Sequence, residues 1–247
     1  MTKEALFQTL KEKFEKIVKE QGLLEKSVKV SCRALSPQEA IGDTERKDFP
    51  ILSGRDIMIQ AEFEGGIGQA FTNTPAVFGG SIKEVLELDI LNNDYDRGIF
   101  IAVLNAVMRR FQMCEMSIHC KDNGPEDCAV KAADYLWETY GNIKIAQIGY
   151  QPAILERISQ RFDQVRVLDL DPENVGDVRY GVEVLDGIKD YESTVLKWAD
   201  LVLCTGSTLG NGSIVNFLDI GKEVLFYGTT AAGAAALMGW KRLCFAD

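Results

Sequence analysis

The stretch from Cys204 to Ser213 is the part of the sequence richest in groups that could bind a ligand. It follows a short apolar run, and nine of its ten residues are small. Glycines let a backbone approach a ligand closely, and Ser and Thr hydroxyls donate hydrogen bonds to ligand oxygens. A helix cap with a tight turn would require only one or two of these residues. The stretch therefore predicts a binding loop, with candidate contacts at Thr205, Gly206, Ser207, Thr208, Asn211 and Ser213.

Polar turns also follow three other apolar runs in the second half of the chain. In open α/β sheets, ligands bind outside the carboxyl ends of the parallel strands. Pro152 suits the first position of a helix, where its missing N–H costs nothing, and a helix start attracts anions. Only one glycine of the G-x-G-x-x-G dinucleotide fingerprint is present. These turns add five candidate contacts, namely Gly149, Pro152, Asp169, Gly228 and Thr229.

Asp169 has two interpretations. It lies 20 residues after Gly149, which is the separation at which dinucleotide-binding domains place the carboxylate that binds a ribose hydroxyl. Alternatively, Asp169 only precedes a turn that Asp171-Pro172 begins. The sequence leaves both interpretations open.

The single histidine lies in a segment rich in cysteine. Cys114, His119, Cys120 and Cys128 fall within fifteen residues. Pro125 predicts a helix start just before Cys128, where a thiolate is favoured. Sulfur and imidazole ligands suit zinc, copper(I) and heavier metals, although the spacing matches no standard zinc finger and buried cysteines are commonly inert. The segment thus predicts either a soft-metal site of His119, Cys120 and Cys128 or a set of core thiols, with a Cys/His nucleophilic pair as a lesser alternative.

The first 112 residues predict an α+β unit in which helices cover one face of an antiparallel sheet. Apolar residues at helical spacing predict a helix over 3–21, and one-sided alternation predicts strands over 28–34 and 56–63. The polar segment 36–54 is predicted to be irregular, with little to pack. The remaining predicted elements are a short strand and two helices, over 69–73, 81–89 and 96–112.

After residue 140, short continuous apolar runs alternate with helical stretches. This pattern indicates a parallel sheet with helices on both faces. The predicted strands cover 143–148, 165–170, 201–204, 224–227 and 243–245. The predicted helices cover 152–161, 190–199, 211–218 and 230–239. The predicted fold class is therefore α/β, with a Rossmann-like parallel-sheet domain after a smaller α+β domain.

The composition narrows the range of partners. The 247 residues are 46% hydrophobic and 26% charged, with a net charge of −10. No Lys/Arg run provides a footprint for nucleic acid, and an anionic membrane surface would repel the chain. With no run of 18 apolar residues and no apolar signal core, we expect a cytoplasmic protein with reduced cysteines. The expected partner is a small molecule or a metal, and association into a homo-oligomer is left open.

Several of these segments resemble one family, a group of uncharacterised bacterial and archaeal proteins to which heavy-metal chelation is attributed. The resemblance extends over nearly the whole chain, and its most specific part is Thr205-Gly206-Ser207-Thr208…Asn211-Gly212-Ser213. The chain departs from the family pattern after the fourth strand of the parallel sheet, where Thr229-Thr230-Ala231-Ala232 replaces an expected proline-containing loop. The other matching segments are Asp96-Arg97…Leu104-Asn105-Ala106, His119-Cys120…Pro125…Cys128-Ala129, Gly149…Pro152 and Asp169…Pro172.

The resemblance implies an enolase N-terminal-like domain over residues 1–112 and a Rossmann-like domain over residues 113–247, with the ligand in the cleft between them. It also implies that Thr72 and Asn73 face the 205–213 loop across that cleft. The predicted function is binding of a metal ion, or of a small molecule that carries one, with a soft or heavy metal as the cofactor. The alternative is an enzyme that acts on a nucleotide, a pterin-like compound or another phosphate-bearing molecule at the strand ends.

Overall fold

The computed structural model describes residues 1–24, 30–54, 56–74 and 76–245. The first element is the predicted amphipathic helix, α1 (Lys3–Glu20), which begins after the Thr2 cap. Its apolar face, which includes Leu10 and Phe14, is fully buried. The helix therefore forms for the reason that its sequence spacing indicates, because one stripe of side chains leaves water.

The first sheet has four antiparallel strands, β1 (Val30–Ala34), β2 (Ile57–Phe63), β3 (Gly66–Thr72) and β4 (Phe78–Gly80), in the order β3-β2-β1-β4. The predicted antiparallel pair of β1 and β2 is thus confirmed, while Val28 lies outside the described residues. A two-residue turn joins β2 to β3, and both of its residues, Glu64 and Gly65, have positive φ. That geometry matches the right-handed twist of the two strands.

Two helices follow this sheet, α3 (Ile82–Glu87) and α4 (Asp94–Arg110), as the sequence predicts. Helix α4 packs directly on β3 because Gly66 and Gly68 have no side chains. A Cβ added to either glycine would lie 2.2–2.3 Å from the backbone of Ala106. The absence of side chains on this face of β3 therefore fixes the distance between the sheet and the helix.

The segment 36–54 differs from the expectation of an irregular, unpacked loop. It contains α2 (Pro37–Ile41) and a 3-10 turn (Pro50–Ser53). Helix α2 begins with a capping box between Ser36 and Glu39, a local signal that can offset a polar composition. Ile41, Phe49 and Ile51 are all buried, so this segment does pack against the rest of the chain.

The second sheet follows α5 (Gly124–Tyr140) and is predominantly parallel, as predicted. In chain order its elements are β5 (Ile145–Ile148), α6 (Pro152–Arg161), β6 (Val165–Asp169), β7 (Val178–Arg179), β8 (Val182–Asp186), β9 (Leu201–Thr205), α7 (Thr208–Asn211), β10 (Glu223–Tyr227), α8 (Ala232–Met238) and β11 (Arg242–Leu243). The strand order is β11-β10-β9-β5-β6-β8-β7, and only the β7–β8 pair is antiparallel. When β7 is left out and the other six strands are numbered 1 to 6 in chain order, their order across the sheet is 3-2-1-4-5-6. Doubly wound nucleotide-binding sheets also have this order.

Three features of this half differ from the sequence expectations. Strands β7 and β8 were not expected, because they lie in a segment without a continuous apolar run. The helix predicted over 190–199 is a single π-helical turn, Glu192–Leu196. The helix predicted over 211–218 is divided at Gly212, whose φ of 78° ends α7 and precedes a 3-10 turn, Ser213–Phe217. A left-handed residue cannot continue a right-handed helix.

Helix α4 lies between the antiparallel sheet and helices α7 and α8 of the second half, and it is buried on all sides from Arg97 to Met108. One apolar core runs through both halves, and it includes Phe14, Phe100 and Val202. The fold is thus a mixed α/β arrangement with a parallel-containing sheet, while the predicted boundary between residues 112 and 113 stays a prediction. None of the described helices combines the length and the apolar composition needed to cross a bilayer.

Candidate functional site

A cavity of about 1000 Å³ lies at the carboxyl ends of the parallel strands. Its wall comes from both sheets and from the segment 41–51. All but one of the residues that the sequence singles out line this cavity: Thr72, Asn73, His119, Cys120, Cys128, Gly149, Pro152, Asp169, Thr205, Ser207, Thr208, Asn211, Ser213, Gly228 and Thr229. The fold therefore brings together segments that are far apart in the chain.

Gly206 is the residue that does not line the cavity. Its backbone N–H donates to the Tyr227 carbonyl at 2.7 Å. A Cβ at this position would lie 2.8 Å from the Ala231 nitrogen. The absence of a side chain at Gly206 thus allows the ends of β9 and β10 to approach each other. Gly206 affects the shape of the 205–213 loop without lining the cavity.

The 205–213 loop is held by its own hydrogen bonds. The Thr205 and Ser207 hydroxyl oxygens are 2.7 Å apart, and the Thr208 hydroxyl donates to the Thr205 carbonyl at 2.6 Å. The Asn211 Oδ1 accepts from the Ser213 N–H at 2.9 Å. Asn211 is the last residue of α7 rather than the first residue of the helix predicted over 211–218.

A buried arginine of α4 donates a hydrogen bond to the backbone of the 205–213 loop. Arg97 of α4 is fully buried, and its guanidinium donates to the carbonyls of Ile90, Leu91 and Gly210 at 2.7–2.9 Å. Gly210 belongs to the loop and lines the cavity. The family resemblance included Arg97 through a matching helix segment, and the structure shows that its role is to position backbone.

Gly149 and Asp169 lie at the ends of adjacent strands. Gly149 has a φ of +83°, and a Cβ there would lie 2.6 Å from Thr205 Cγ2, so both its conformation and its surroundings favour glycine. The Asp169 carboxylate accepts backbone N–H groups from Tyr150 at 2.5 Å and from Asp171 at 2.7 Å. These two bonds fix the orientation of the carboxylate at the cavity wall.

The helix start at Pro152 is confirmed, but it is already capped. The side chain of Gln151 accepts from the Ile154 N–H at 2.6 Å. One of the N–H groups that could bind an anion therefore has a partner within the protein.

The loop after β10 carries a polar atom without a partner. Thr229 is only 3% exposed, and its Oγ1 has no hydrogen-bond partner within the described part of the chain. The neighbouring Thr230 Oγ1 accepts from the Phe71 N–H at 2.9 Å and so links this loop to β3. Thr229 is among the residues that line the cavity, and a buried hydroxyl without a partner calls for an explanation such as a bound molecule.

The Cys120 and Cys128 side chains lie close together at the cavity wall, and Cys244, which also lines the cavity, is near Cys120. The Cys120 thiol lowers the pKa of Cys128 by stabilising its thiolate, and the Phe245 N–H, Lys131 and Arg242 add to the effect. The same pairing, together with burial, raises the pKa of Cys120. The pairing therefore favours the thiolate form of Cys128 over that of Cys120.

His119 does not complete a metal site with these thiols. Its Nδ1 lies 2.6 Å from the Cys120 carbonyl oxygen, and its ring contacts the Phe71 ring edge-on. Burial lowers its pKa, which favours the neutral ring. Within residues 1–24, 30–54, 56–74 and 76–245, no three His, Cys, Asp or Glu side chains are close enough together to hold a metal ion. The structure thus pairs Cys120 with Cys128 and leaves the predicted three-ligand set unassembled.

Residues 42–54 form a segment beside the cavity that we call the strap. The sequence did not predict this role for the segment. Phe49 and Ile51 of the strap line the cavity. Arg46, whose side chain is 14% exposed, anchors the strap through partners from α5, α6 and the β7–β8 turn, namely Glu126, Glu156 and Tyr180. The alternation of charges over 43–48 gave no sign of these long-range ion pairs, because their partners lie about 80 or more residues away.

The cavity wall is acidic. Among the described residues, no lysine or arginine lines it. Five carboxyl side chains do so, from Asp56, Asp94, Asp169, Asp171 and Glu173. Asp94 is paired with the buried Arg97, and the other carboxyl groups leave a lining that disfavours a ligand with several negative charges.

Comparisons with known proteins support the family expectation. Residues 131–239 match the profile of the family DUF364, whose description reads "Putative heavy-metal chelation". The resemblance expected from the sequence is confirmed over this part of the chain. A comparison with curated proteins gives no match.

Two solved structures from DUF364, both of proteins of unknown function, share the fold. The protein from Pyrococcus horikoshii has a TM-score of 0.54 and 16% identity, with 92% of this chain and 80% of that chain covered. The protein from Desulfitobacterium hafniense DCB-2 has a TM-score of 0.50 and 13% identity, with 74% and 72% covered. At these identities the likeness concerns the fold alone.

Proposed function

We propose that the chain binds a small molecule that carries a soft metal ion, with Cys120 and Cys128 as the protein's ligands to the metal. The observation that carries the proposal is the pairing of these two thiols on the wall of a cavity of about 1000 Å³. Thiolates are the ligands that zinc, copper(I) and heavier metals prefer. The family description points to the same chemistry.

A metal-carrying molecule fits the cavity better than a bare ion does. A structural zinc site usually has four protein ligands, and even catalytic sites have three. The described residues bring two thiols together, with Cys244 adjacent. The volume of the cavity is in the range of small-molecule sites. The bound molecule would therefore supply the remaining metal ligands and fill the rest of the space.

The organic part of the ligand would lie along the strand ends. Thr205, Ser207, Asn211 and Ser213 are our proposed contacts from the loop, and Thr229 would use its unpartnered hydroxyl. Thr72 and Asn73, at the end of β3, would contact it from the other side.

The proposal also includes the predicted division of the chain into two domains. We place the boundary after residue 112, with the antiparallel sheet in an enolase N-terminal-like domain and the parallel sheet in a Rossmann-like one. The strand order 3-2-1-4-5-6 supports the second assignment. The ligand would then be bound by both domains.

A second candidate is an enzyme that acts on a nucleotide-like or pterin-like compound. The position of Asp169 at the end of β6 favours it, because ribose-binding carboxylates occupy that place in related sheets. The acidic lining does not favour the phosphate-bearing substrates that the sequence reading included.

Cadmium binding tests the thiol pair. We expect the wild-type chain to bind one equivalent of cadmium with an ultraviolet charge-transfer band from thiolate sulfur, and the Cys120→Ser/Cys128→Ser variant to bind at least tenfold more weakly. Cys114→Ala is the matched control, since that thiol is buried outside the cavity. Equal cadmium affinity in the double variant and the wild type would show that the metal, if bound, lies elsewhere.

A further inference from the structure

Two exposed apolar side chains stand at one end of the cavity. Leu170 follows β6 and is 53% exposed, and Ile188 lies two residues after β8 and is 78% exposed. Both line the cavity. Strands β6 and β8 are parallel neighbours with Asp169 opposite Asp186, so the two side chains leave the same edge of the sheet.

Gly187 lies between these two residues, and its lack of a side chain leaves room for the side chain of Leu170. Its N–H donates to the Asp169 carbonyl at 2.8 Å, and a Cβ at this position would lie 3.1 Å from Leu170 Cδ2. The Leu170 side chain thus lies over the Gly187 backbone, with Ile188 next to it. Together they offer an apolar surface that a flat, apolar ring could cover.

The Asp169 carboxylate adjoins this apolar surface. Each of its oxygens accepts one backbone N–H, from Tyr150 or from Asp171. A carboxylate has about four lone-pair sites, so about two of them are left for donors from a ligand. Two hydroxyls on adjacent carbons match such an oriented carboxylate.

The strand order sets the direction in which the ligand extends. Neighbouring strands lie about 4.8 Å apart, and the order β8-β6-β5-β9-β10 puts Thr229 about 19 Å from Ile188 along the edge. A ring on Leu170 and Ile188 and a diol on Asp169 would point the rest of the molecule past Gly149 toward the unpartnered Thr229 hydroxyl.

We infer that Asp169, Leu170 and Ile188 form a subsite for a nucleoside, with the base against the two apolar side chains and the ribose diol on the carboxylate. The acidic lining selects a neutral or cationic substituent at the 5′ carbon over a phosphate. The inference rests on the proposal that the cavity binds an organic molecule, but it uses none of the thiols.

The first experiment compares ligands by calorimetry on the full chain after removal of co-purified molecules. The probes are adenosine, 2′-deoxyadenosine, AMP and S-adenosylmethionine, which carries a sulfonium. We expect adenosine and S-adenosylmethionine to bind, and AMP to bind more weakly than adenosine. The 2′-deoxy compound should bind at least tenfold more weakly, because it loses a hydrogen bond to a charged acceptor. AMP binding that is tighter than adenosine binding would overturn the charge argument.

The second experiment uses matched variants. Asp169→Asn should weaken adenosine binding at least tenfold, while Asp186→Asn should leave it unchanged. Asp186 lies at the end of the neighbouring strand and does not line the cavity, and its Oδ1 accepts the backbone N–H groups of Ile188 and Lys189, an acceptor that asparagine keeps. Ile188→Ser should weaken binding about tenfold, and its control, Val178→Ser, changes another strongly exposed apolar side chain that lies outside the cavity.

The outcomes separate this inference from the metal proposal. Adenosine affinity that is unchanged in both Asp169→Asn and Ile188→Ser would overturn the nucleoside subsite, as would no binding of any nucleoside by the wild type. Cadmium binding through Cys120 and Cys128 could still hold in either case. Nucleoside binding that persists in the Cys120→Ser/Cys128→Ser variant, without thiol-dependent cadmium binding, would leave the subsite intact and overturn the metal proposal alone.

Discussion

Replacing Arg97 with methionine should lower the free energy of unfolding by about 3–5 kcal/mol. Methionine keeps much of the stem volume, but it leaves the carbonyls of Ile90, Leu91 and Gly210 without their donor inside the protein. It also removes the guanidinium that lies 4.9 Å from the centre of the Phe7 ring. The change should appear as a lower urea midpoint with an unchanged slope.

The matched control for this variant is Arg110→Met on the same helix. Arg110 is 46% exposed in its side chain, and its ion pair with Glu64 is long, at 3.7 Å. Exposed ion pairs contribute about 0–1 kcal/mol, so this variant should unfold close to the wild-type midpoint. If Arg97→Met and Arg110→Met were equally stable, the carbonyls around Arg97 would have to be satisfied in another way.

Replacing Asn105 with aspartate should cost about 3–5 kcal/mol near pH 7, and the loss should depend on pH. The Asn105 amide is fully buried, and its Nδ2 donates to the carbonyls of Gln69, Thr229 and Thr230 at 2.9–3.2 Å. A carboxylate would place a negative oxygen against these three carbonyls. The Oδ1 that accepts from the Gly233 N–H at 2.7 Å would be kept.

The sign of the pH dependence follows from the protonation of the introduced carboxyl group in the folded and unfolded states. Burial against carbonyls raises the pKa of the introduced carboxyl in the folded state, whereas in the unfolded chain it stays near 3.9. The folded variant therefore retains a proton that the unfolded chain loses. Its deficit relative to the wild type should grow by about 1.4 kcal/mol per pH unit above pH 4, until the raised pKa is passed.

Asn105→Leu separates this electrostatic effect from lost packing. It has no titrating group, so its deficit should be the same at pH 5 and pH 7. Urea unfolding of the two variants at both pH values measures the difference directly. A deficit of Asn105→Asp that does not change with pH would show that the introduced carboxyl reaches water.

Local signals in the sequence predicted most of the elements but not their long-range partners. The 152–161 helix has the expected limits because Pro152 fixes its start. Helix α2 was missed, since its capping box at Ser36 lies in a polar stretch. Strand β8 was missed because only Val184 is fully buried and charged residues interrupt its apolar ones.

The same distinction between local signals and long-range contacts applies to the candidate site. The expectation that the Cys204–Ser213 segment and Asp169 lie at one sheet edge follows from parallel-strand geometry, and the structure places both at the cavity wall. The position of His119 could not be predicted, because its ring direction depends on a bond to the Cys120 carbonyl and on contact with Phe71. Leu170 was expected to be the last residue of the strand over 165–170, and Ile188 gave no signal, since single apolar residues in loops are common.

The burial of helix α4 on every side has a consequence for how the chain can be divided. Its residues from Arg97 to Met108 pack on the antiparallel sheet through Ala106 and on the loops of the parallel sheet through Asn105. A fragment that ends at residue 112 would expose one apolar face of this helix to water, and the complementary fragment would lose the cover of its own loops. We therefore expect neither fragment to be an autonomous folding unit, and we expect the full chain to melt in one cooperative transition. A ligand bound at the cavity would then raise the melting temperature of the amino-terminal sheet as much as that of the carboxy-terminal one.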